Sequence, residues 1–292
     1  MRRITRATAF VAALALAATA CGNDNDTADD TTTEAATEAE TTDEAGTTEE
    51  TDAEAAGELD LVTDGTLTTC TDAPYEPFEF EDPDSPSGYS GFDIDLVTAV
   101  AETAGLDVAV VNTGFDSLTS GAAMAAGTCD MASSAITITE ARAENIDFSD
   151  PYYDAIQSLL VPVDSDITSI DDLTEGVNVG VQTGTTGEEY ANENVPGGTV
   201  IAFEGGGDLF TALEAGQIEA ILQDEPVNQE RANQDENVQV IETFDTGESY
   251  GFALQQDRGD DLLQVINDGL QQLRDDGTYD EIYERYFAVA EE

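Results

Sequence analysis

Four runs in this 292-residue chain combine residue types and spacings suited to holding charge. The first is SSAITITEAR, Ser133 to Arg142. It predicts a strand ending at about Ala135, a turn punctuated by Thr137 and Thr139, and Arg142 within the first turn of the next helix. A guanidinium fork, a hydroxyl and backbone N–H groups at a helix start are fixed donors for a carboxylate. Lysine would not reproduce that bidentate geometry. Taken alone, however, an Arg near a helix start reads more often as a surface ion-pair residue. The second run, GVQTGTTGEEYA from Gly180 to Ala191, predicts a strand, a glycine turn and a helix start whose amides at Thr185 and Thr186 form another anion site. The same residues also read as a plain threonine cap completed by Glu188 or Glu189. No Lys follows the glycine, so this is not a Walker loop. The third run, AGQIEAILQDEPV from Ala215 to Val227, sets Asp224 at the carboxyl end of a predicted strand, where a carboxylate meets an ammonium group. Among 64 acidic residues only that position singles it out. The fourth, CTDAPYEPFEF from Cys70 to Phe80, is a stiff aromatic loop with two prolines, in which Asp72 precedes Tyr75. Its rings flank an aliphatic stem or belong to the core, the core reading being stronger for Phe80 than for Tyr75.

These runs sit in an alternation of short β-rich stretches with amphipathic helices that begins at Leu59. Strands are expected at Thr66 to Thr71, Val108 to Asn112, Asp130 to Ser133, Gln157 to Pro162, Val177 to Val181, Thr199 to Phe203, Ile218 to Gln223 and Gly251 to Leu254. Helices are expected at Phe92 to Ala104, Asp116 to Ala126, Ser169 to Thr174, Thr185 to Asn192, Asp208 to Ala215, Glu225 to Asn233, Gly259 to Arg274 and Thr278 to Phe287. Such a rhythm predicts βαβ units and mostly parallel sheets. The fold class is α/β with two lobes, and open α/β sheets bind ligands at the carboxyl ends of their strands.

Before Leu59 the composition changes twice. Arg2, Arg3 and Arg6, an apolar run from Ala7 to Ala18 and small residues before Cys21 predict an export leader over residues 1–20. The apolar run is shorter than the ~20 residues a bilayer needs. LAATAC resembles a bacterial lipobox, which makes Cys21 the expected lipidation site. Residues 21–58 are almost wholly acidic, small or Thr, and are expected to form a self-repelling stalk without a core of its own. The rest divides into 59–154 with 249–292 as a first lobe and 155–248 as a second. The chain has no Lys, His or Trp and a formal net charge of −56, which argues against nucleic acid as a partner and raises the expectation of a high-salt habitat. Cys70 and Cys129, left as an even pair in an exported protein, are expected to form a disulfide between adjacent strand ends of the first lobe.

Taken together, TDAPYEPF, GFDIDL at Gly91 to Leu96, SAITITEAR, GVQTGTT, AGQIEAILQDE and the terminal DGTYDEIYERYF resemble, in order and spacing, the family 3 periplasmic-type amino-acid-binding proteins. The resemblance runs from about Leu61 to Ala288. It implies two lobes joined by two hinge strands, with the C-terminal helices returning to the first lobe. It also implies a lipid-anchored, monomeric, extracytoplasmic receptor that captures a free amino acid and serves an ABC permease, with no cofactor, metal or catalytic residue. Carried over by residue, it assigns Arg142, Thr137 and the Thr186 amide to a ligand's α-carboxylate, and Asp224 and the Ala135 carbonyl to its α-ammonium. Asp72, Tyr75, Phe115 and Gln182 would line the side-chain pocket, where Asp72 and Gln182 favour a polar or cationic amino acid. Gln182 is a departure, since glutamine receptors of the family often carry Lys there. Three alternatives stand beside this reading: an enzyme resembling cyclohexadienyl dehydratases, the sensor part of a signalling system, and a receptor for ectoine.

Overall fold

The computed structural model describes residues 59–288. The leader, Cys21 and the acidic stalk lie outside the described residues. The chain runs through β1 (Thr66–Thr71), β2 (Phe80–Glu81), β3 (Tyr89–Ser90), α1 (Phe92–Thr103), β4 (Asp107–Asn112), α2 (Phe115–Thr119), α3 (Ala122–Ala125), β5 (Met131–Ala132), α4 (Glu140–Ala143), β6 (Ile146–Phe148) and β7 (Tyr153–Pro162). It continues through β8 (Asn178–Gln182), α5 (Thr186–Asn194), β9 (Thr199–Phe203), α6 (Gly206–Glu214), β10 (Ala220–Asp224), α7 (Glu225–Gln234), β11 (Val238–Tyr250), β12 (Ala253–Gln255), α8 (Leu262–Asp276) and α9 (Thr278–Phe287).

Two five-stranded sheets result, ordered β4-β1-β5-β12-β6 and β11-β7-β10-β8-β9. In the first, only β12 runs against the other strands; in the second, only β7 does. Each sheet is therefore mostly parallel, with one reversed strand a single place in from an edge. Central parallel strands are covered on both faces, so their burial is continuous rather than alternating. In β1 every residue from Leu67 to Thr71 is buried. Helices cover both faces of each sheet. Leu67, Val97, Val100, Leu254, Ile266 and Leu270 pack on one side of the first sheet, and Cys70, Leu118, Ile136 and Ile146 on the other. Leu159, Val179 and Leu222, opposed by Leu160, Leu209 and Ile221, do the same for the second.

The C-terminal helices return to the first lobe, as the resemblance implied. In α8, Leu262, Ile266, Gly269, Leu270 and Leu273 are buried at helical spacing. A Cβ on Gly269 would stand 2.9 Å from Val100 Cγ1, so the bare Cα lets α8 approach α1. Cys70 on β1 is bonded to Cys129, just before the neighbouring β5, with Cα atoms 5.7 Å apart.

Four expectations need correction. The helix expected over Asp116 to Ala126 is broken into α2 and α3 because Gly121 takes φ +74, and the Ser120 hydroxyl bonds back to the Asp116 carbonyl. Between Ser169 and Thr174 there is only a 3-10 turn at Ile170–Asp172. The short β6 went unseen because three residues carry no period. The largest miss is β11, whose DTGES stretch is rich in residues disfavoured in strands. It forms because β7 offers a partner along its whole length, with register shifts between Val240 and Glu242 and between Phe244 and Glu248 absorbing the irregular sequence. The hinge crossings, expected near Asp154 to Ile156 and Asp245 to Tyr250, run within these two strands, where Tyr153 pairs with Tyr250, Asp154 with Ser249 and Ala155 with Glu248.

Candidate functional site

Strand ends define the site. β1 leads into Asp72 and Tyr75, β4 into Phe115, β5 into Ala135 and Thr137, β8 into Gln182 and Thr186, and β10 ends on Asp224. These eight residues and Arg142 line one cavity, together with Ser134 and Thr185. Five of the eight come from segments around the first sheet, and Gln182, Thr186 and Asp224 from the second. Arg142, which α4 supplies, completes the set.

Arg142 is held on every side. Thr139 caps α4, its hydroxyl accepting from the Arg142 backbone N–H at 3.2 Å. The guanidinium donates through Nη1 to the Thr137 carbonyl at 2.7 Å and through Nη2 to the Gly184 carbonyl, beside the second sheet, at 3.1 Å. Its carbon lies 5.2 Å from the centroid of the Phe115 ring. Phe115 thus forms a wall beneath the guanidinium as well as lining the cavity. Arg142 is 9% exposed, and burial draws its pKa below the usual guanidinium range against the pull of Asp224.

In the GTTGEE run the cap reading holds at Thr185, and the adjacent Thr186 lines the cavity. Thr185 caps α5, accepting from the Glu188 N–H, and Glu188 accepts from the Gly184 N–H at 2.7 Å. Thr186 opens the helix, and its hydroxyl is 3.4 Å from that of Thr137 across the cleft.

Asp224, 8% exposed, gathers donors from three segments. Its Oδ2 accepts from the Tyr75 hydroxyl at 2.9 Å and from the Tyr250 hydroxyl at 2.6 Å, and its Oδ1 from Gln157 Nε2 at 2.5 Å. Burial raises its pKa, while the tyrosine and glutamine hydrogen bonds oppose the shift. Gln157 Nε2 also lies 3.3 Å from Thr186 Oγ1 and 3.2 Å from Glu248 Oε2. Three acceptors thus surround a group with two hydrogens.

At the opposite end, Gln182 Nε2 donates to Asp72 Oδ2 at 2.7 Å. Burial pushes Asp72 up to about 6, partly offset by that hydrogen bond. Behind the cavity wall, Ala135 adopts φ +44, a left-handed conformation that costs a non-glycine residue ~1–2 kcal/mol. Its N–H donates to the buried Asp93 Oδ2 at 2.8 Å, and the neighbouring Ser134 hydroxyl donates to the buried Glu79 at 2.5 Å. Burial holds Asp93 up at about 7, and burial with the Asp93 charge raises Glu79 well above the carboxylate range.

Gln157, Tyr250, Glu248, Asp93 and Glu79 had no part in the site read from the sequence. Tyr250 and Glu248 sit on the strand that was missed. Gln157 did leave a signal, as a polar residue inside the apolar run AIQSLLVP, and it is fully buried. A buried amide in a central strand needs partners, and those partners were the clue.

Two α/β lobes whose strand ends converge on a cleft lined by an arginine and an aspartate define a solute-binding protein. The chain belongs to the bacterial extracellular solute-binding proteins, family 3, which it matches over residues 67–289. It is 34% identical over 218 residues to a probable histidine-binding protein of Neisseria gonorrhoeae, covering 72% of this chain and 79% of that one. It is 36% identical over 160 residues to the ABC transporter glutamine-binding protein GlnH of Bacillus subtilis (strain 168), covering 55% and 58% respectively. The crystal structure of the ancestral amino acid-binding protein AncCDT-1, a precursor of cyclohexadienyl dehydratase, is similar with a TM-score of 0.70 at 39% identity. That match covers 76% of this chain and 96% of that one. Among the described residues no helix is long and apolar enough to cross a membrane.

Proposed function

We propose that this chain captures a free amino acid between its lobes and delivers it to the permease of an ABC importer. The observation that carries the reading is a pair of opposite charges, Arg142 and Asp224, both buried and both lining one cavity. A zwitterion loses its hydration on entering a closed cleft, so each of its charges needs an opposite, hydrogen-bonded partner. In this assignment Arg142, Thr137 and the Thr186 amide take the carboxylate, and Asp224 and the Ala135 carbonyl take the ammonium. Asp72, Tyr75, Phe115 and Gln182 face the side chain. The names of the relatives, which bind histidine and glutamine, support the ligand class.

The lobes are 59–154 with 249–292, and 155–248, and closure is a hinge motion about the paired segments of β7 and β11. Gln182 and Asp72 partner each other, but a branched aliphatic ligand would cover their remaining polar atoms without satisfying them, a cost of ~1–3 kcal/mol for a buried polar group. The preferred ligand is therefore polar or cationic. Cys21 carries a lipid that tethers a monomer to the outer face of the cytoplasmic membrane, and mass spectrometry of the membrane-derived protein tests that tether. A thermal-shift screen against the twenty amino acids and ectoine in high salt tests the function. Glutamine, arginine or histidine is expected to give the largest shift, and tighter binding of leucine would sink the side-chain assignment.

One observation favours a second reading. Asp72 lines the cavity with a carboxyl held at about 6, the property needed by a group that gives up a proton near neutral pH. Incubation with prephenate or arogenate separates the two: a receptor leaves both unchanged, and turnover would make the chain a dehydratase.

A further inference from the structure

Gly205, Gly206 and Gly207 stand together where α6 begins. None has a positive φ, so no backbone conformation there requires glycine. Glycine in a helix is also less favourable than alanine, because it loses more conformational freedom on ordering. The remaining reason for it is space, and the three positions differ in this. A Cβ on Gly205 would meet only Asp208 Oδ2, at 3.6 Å, a residue of the same helix. On Gly206 it would stand 2.8 Å from Tyr75 Cδ2, 3.1 Å from Tyr75 Cε2 and 3.1 Å from Gln182 Oε1. On Gly207 it would stand 3.1 Å from Pro74 Cγ.

Pro74 and Tyr75 come from the loop after β1, in the first lobe, whereas α6 flanks the second sheet. The next residue, Glu76, reaches α7 of the second lobe, where it accepts from Gln234 Nε2 at 3.0 Å. Three consecutive residues of one lobe thus land on two helices of the other. The Tyr75 ring that rests on Gly206 carries the hydroxyl that donates to Asp224.

We propose that Gly206 determines affinity, its bare Cα being the seat on which the Tyr75 ring lands when the lobes close. The depth of that landing sets whether the Tyr75 hydroxyl reaches Asp224. The inference rests on the receptor reading above. Gln182 Oε1 lies on Gly206's own lobe, so of the contacts a methyl group at residue 206 would make only those to the Tyr75 ring cross between the lobes. These oppose the closed state alone and shorten the lifetime of the closed complex.

The test uses the full chain and Gly206→Ala, Gly205→Ala, Tyr75→Ala and the Gly206→Ala/Tyr75→Ala double variant. L-glutamine, L-arginine and L-histidine are the probes, followed by calorimetry and stopped-flow dissociation with whichever binds the parent. Gly206→Ala is expected to bind at least tenfold more weakly, through faster dissociation, with a ligand-free melting temperature no lower than the parent's. Gly205→Ala should stay within twofold. In the Tyr75→Ala background the methyl should add less than twofold, because the ring it meets is gone. Affinity of Gly206→Ala within threefold of the parent overturns the seat, as does a loss that persists without the Tyr75 ring or a lowered ligand-free melting temperature. Failure of the parent to bind any of the three probes overturns the side-chain assignment on which the seat rests, and with no binding in the twenty-amino-acid screen either, the receptor reading as well.

Discussion

At the scale of single residues, the charge pair is the most demanding feature of the site. Arg142 and Asp224 each lie almost out of reach of water, and removing one partner from a buried pair costs ~3–5 kcal/mol because the other charge is left unpaired. At ~1.4 kcal/mol per decade, Arg142→Ala and Asp224→Ala should each weaken amino-acid binding between a hundredfold and several thousandfold, as read by calorimetry. Arg142→Lys should recover little, since the two donors aimed at the Thr137 and Gly184 carbonyls come from one planar fork. An alanine variant within threefold of the parent would return that residue to the class of surface charges. Two acids with raised pKa values, Asp93 behind the cavity wall and Asp72 in its lining, make a separate prediction. Burial raises Asp93 to about 7 and Asp72 to about 6 from an ordinary 3.8. Between these values the native state holds protons that the unfolded chain has released. The stability they contribute is full below pH 4 and is lost as pH rises through 6 to 7. Melts of the ligand-free protein at fixed salt should show this decline, and Asp93→Asn, which carries no charge to disfavour, should flatten it.

At the scale of elements, β1 is the strand around which the first lobe is built, since it pairs with both β4 and β5 and delivers Asp72 and Tyr75 to the cleft. The Cys70–Cys129 bond ties it to β5 across a sequence separation of 59. Closing a loop of that length in the unfolded chain lowers its entropy by an amount equivalent to about 4 kcal/mol at room temperature. Cys70→Ser/Cys129→Ser should lose roughly that much stability in denaturant titrations while the pairing of β1 with β5 keeps the cleft in register. A loss below about 1 kcal/mol would mean that the unfolded state is already compact. The helix breaks matter as well. Gly121 ends α2 before it can run on into α3, and this keeps Phe115, at the start of α2, within reach of Arg142.

At the scale of the whole molecule, charge dominates. Against a formal net charge of −56, the ion pairs among the described residues engage Arg231, Arg258 and Arg285 with Glu214, Asp235, Asp260 and Asp95. Few carboxylates among the described residues therefore have a cationic partner. Screening shrinks from ~10 Å at 0.1 M to ~3 Å at 1 M salt, which removes repulsion between all but near neighbours. Melting temperature should rise steadily from low to molar sodium chloride, and a flat or falling curve would remove the high-salt reading. In the proposed closure residues of both lobes would engage the ligand at once, so its differential affinity for the closed over the open form sets the population shift.

Much of the cavity lining was already legible in the chain. Arg142, Asp224, Thr137 and Thr186 stood at strand ends and helix starts, where open α/β sheets bind ligands, and the family resemblance assigned them roles; the fold brings all four to one cavity. The cysteine pair followed from strand adjacency in a βαβ unit. What only tertiary structure decided are the contacts between residues far apart in sequence. β11 exists because β7 pairs with it, in spite of its own composition. Gln157, Tyr250 and Tyr75 converge on Asp224 from separate segments. Ala135 holds a left-handed turn because the Asp93 carboxylate, forty-two positions earlier in the chain, accepts its N–H. Local propensity acts over a few residues, whereas a buried carboxylate or amide accepts whichever donor the packed fold brings within 3 Å, and no short window of sequence contains that partner.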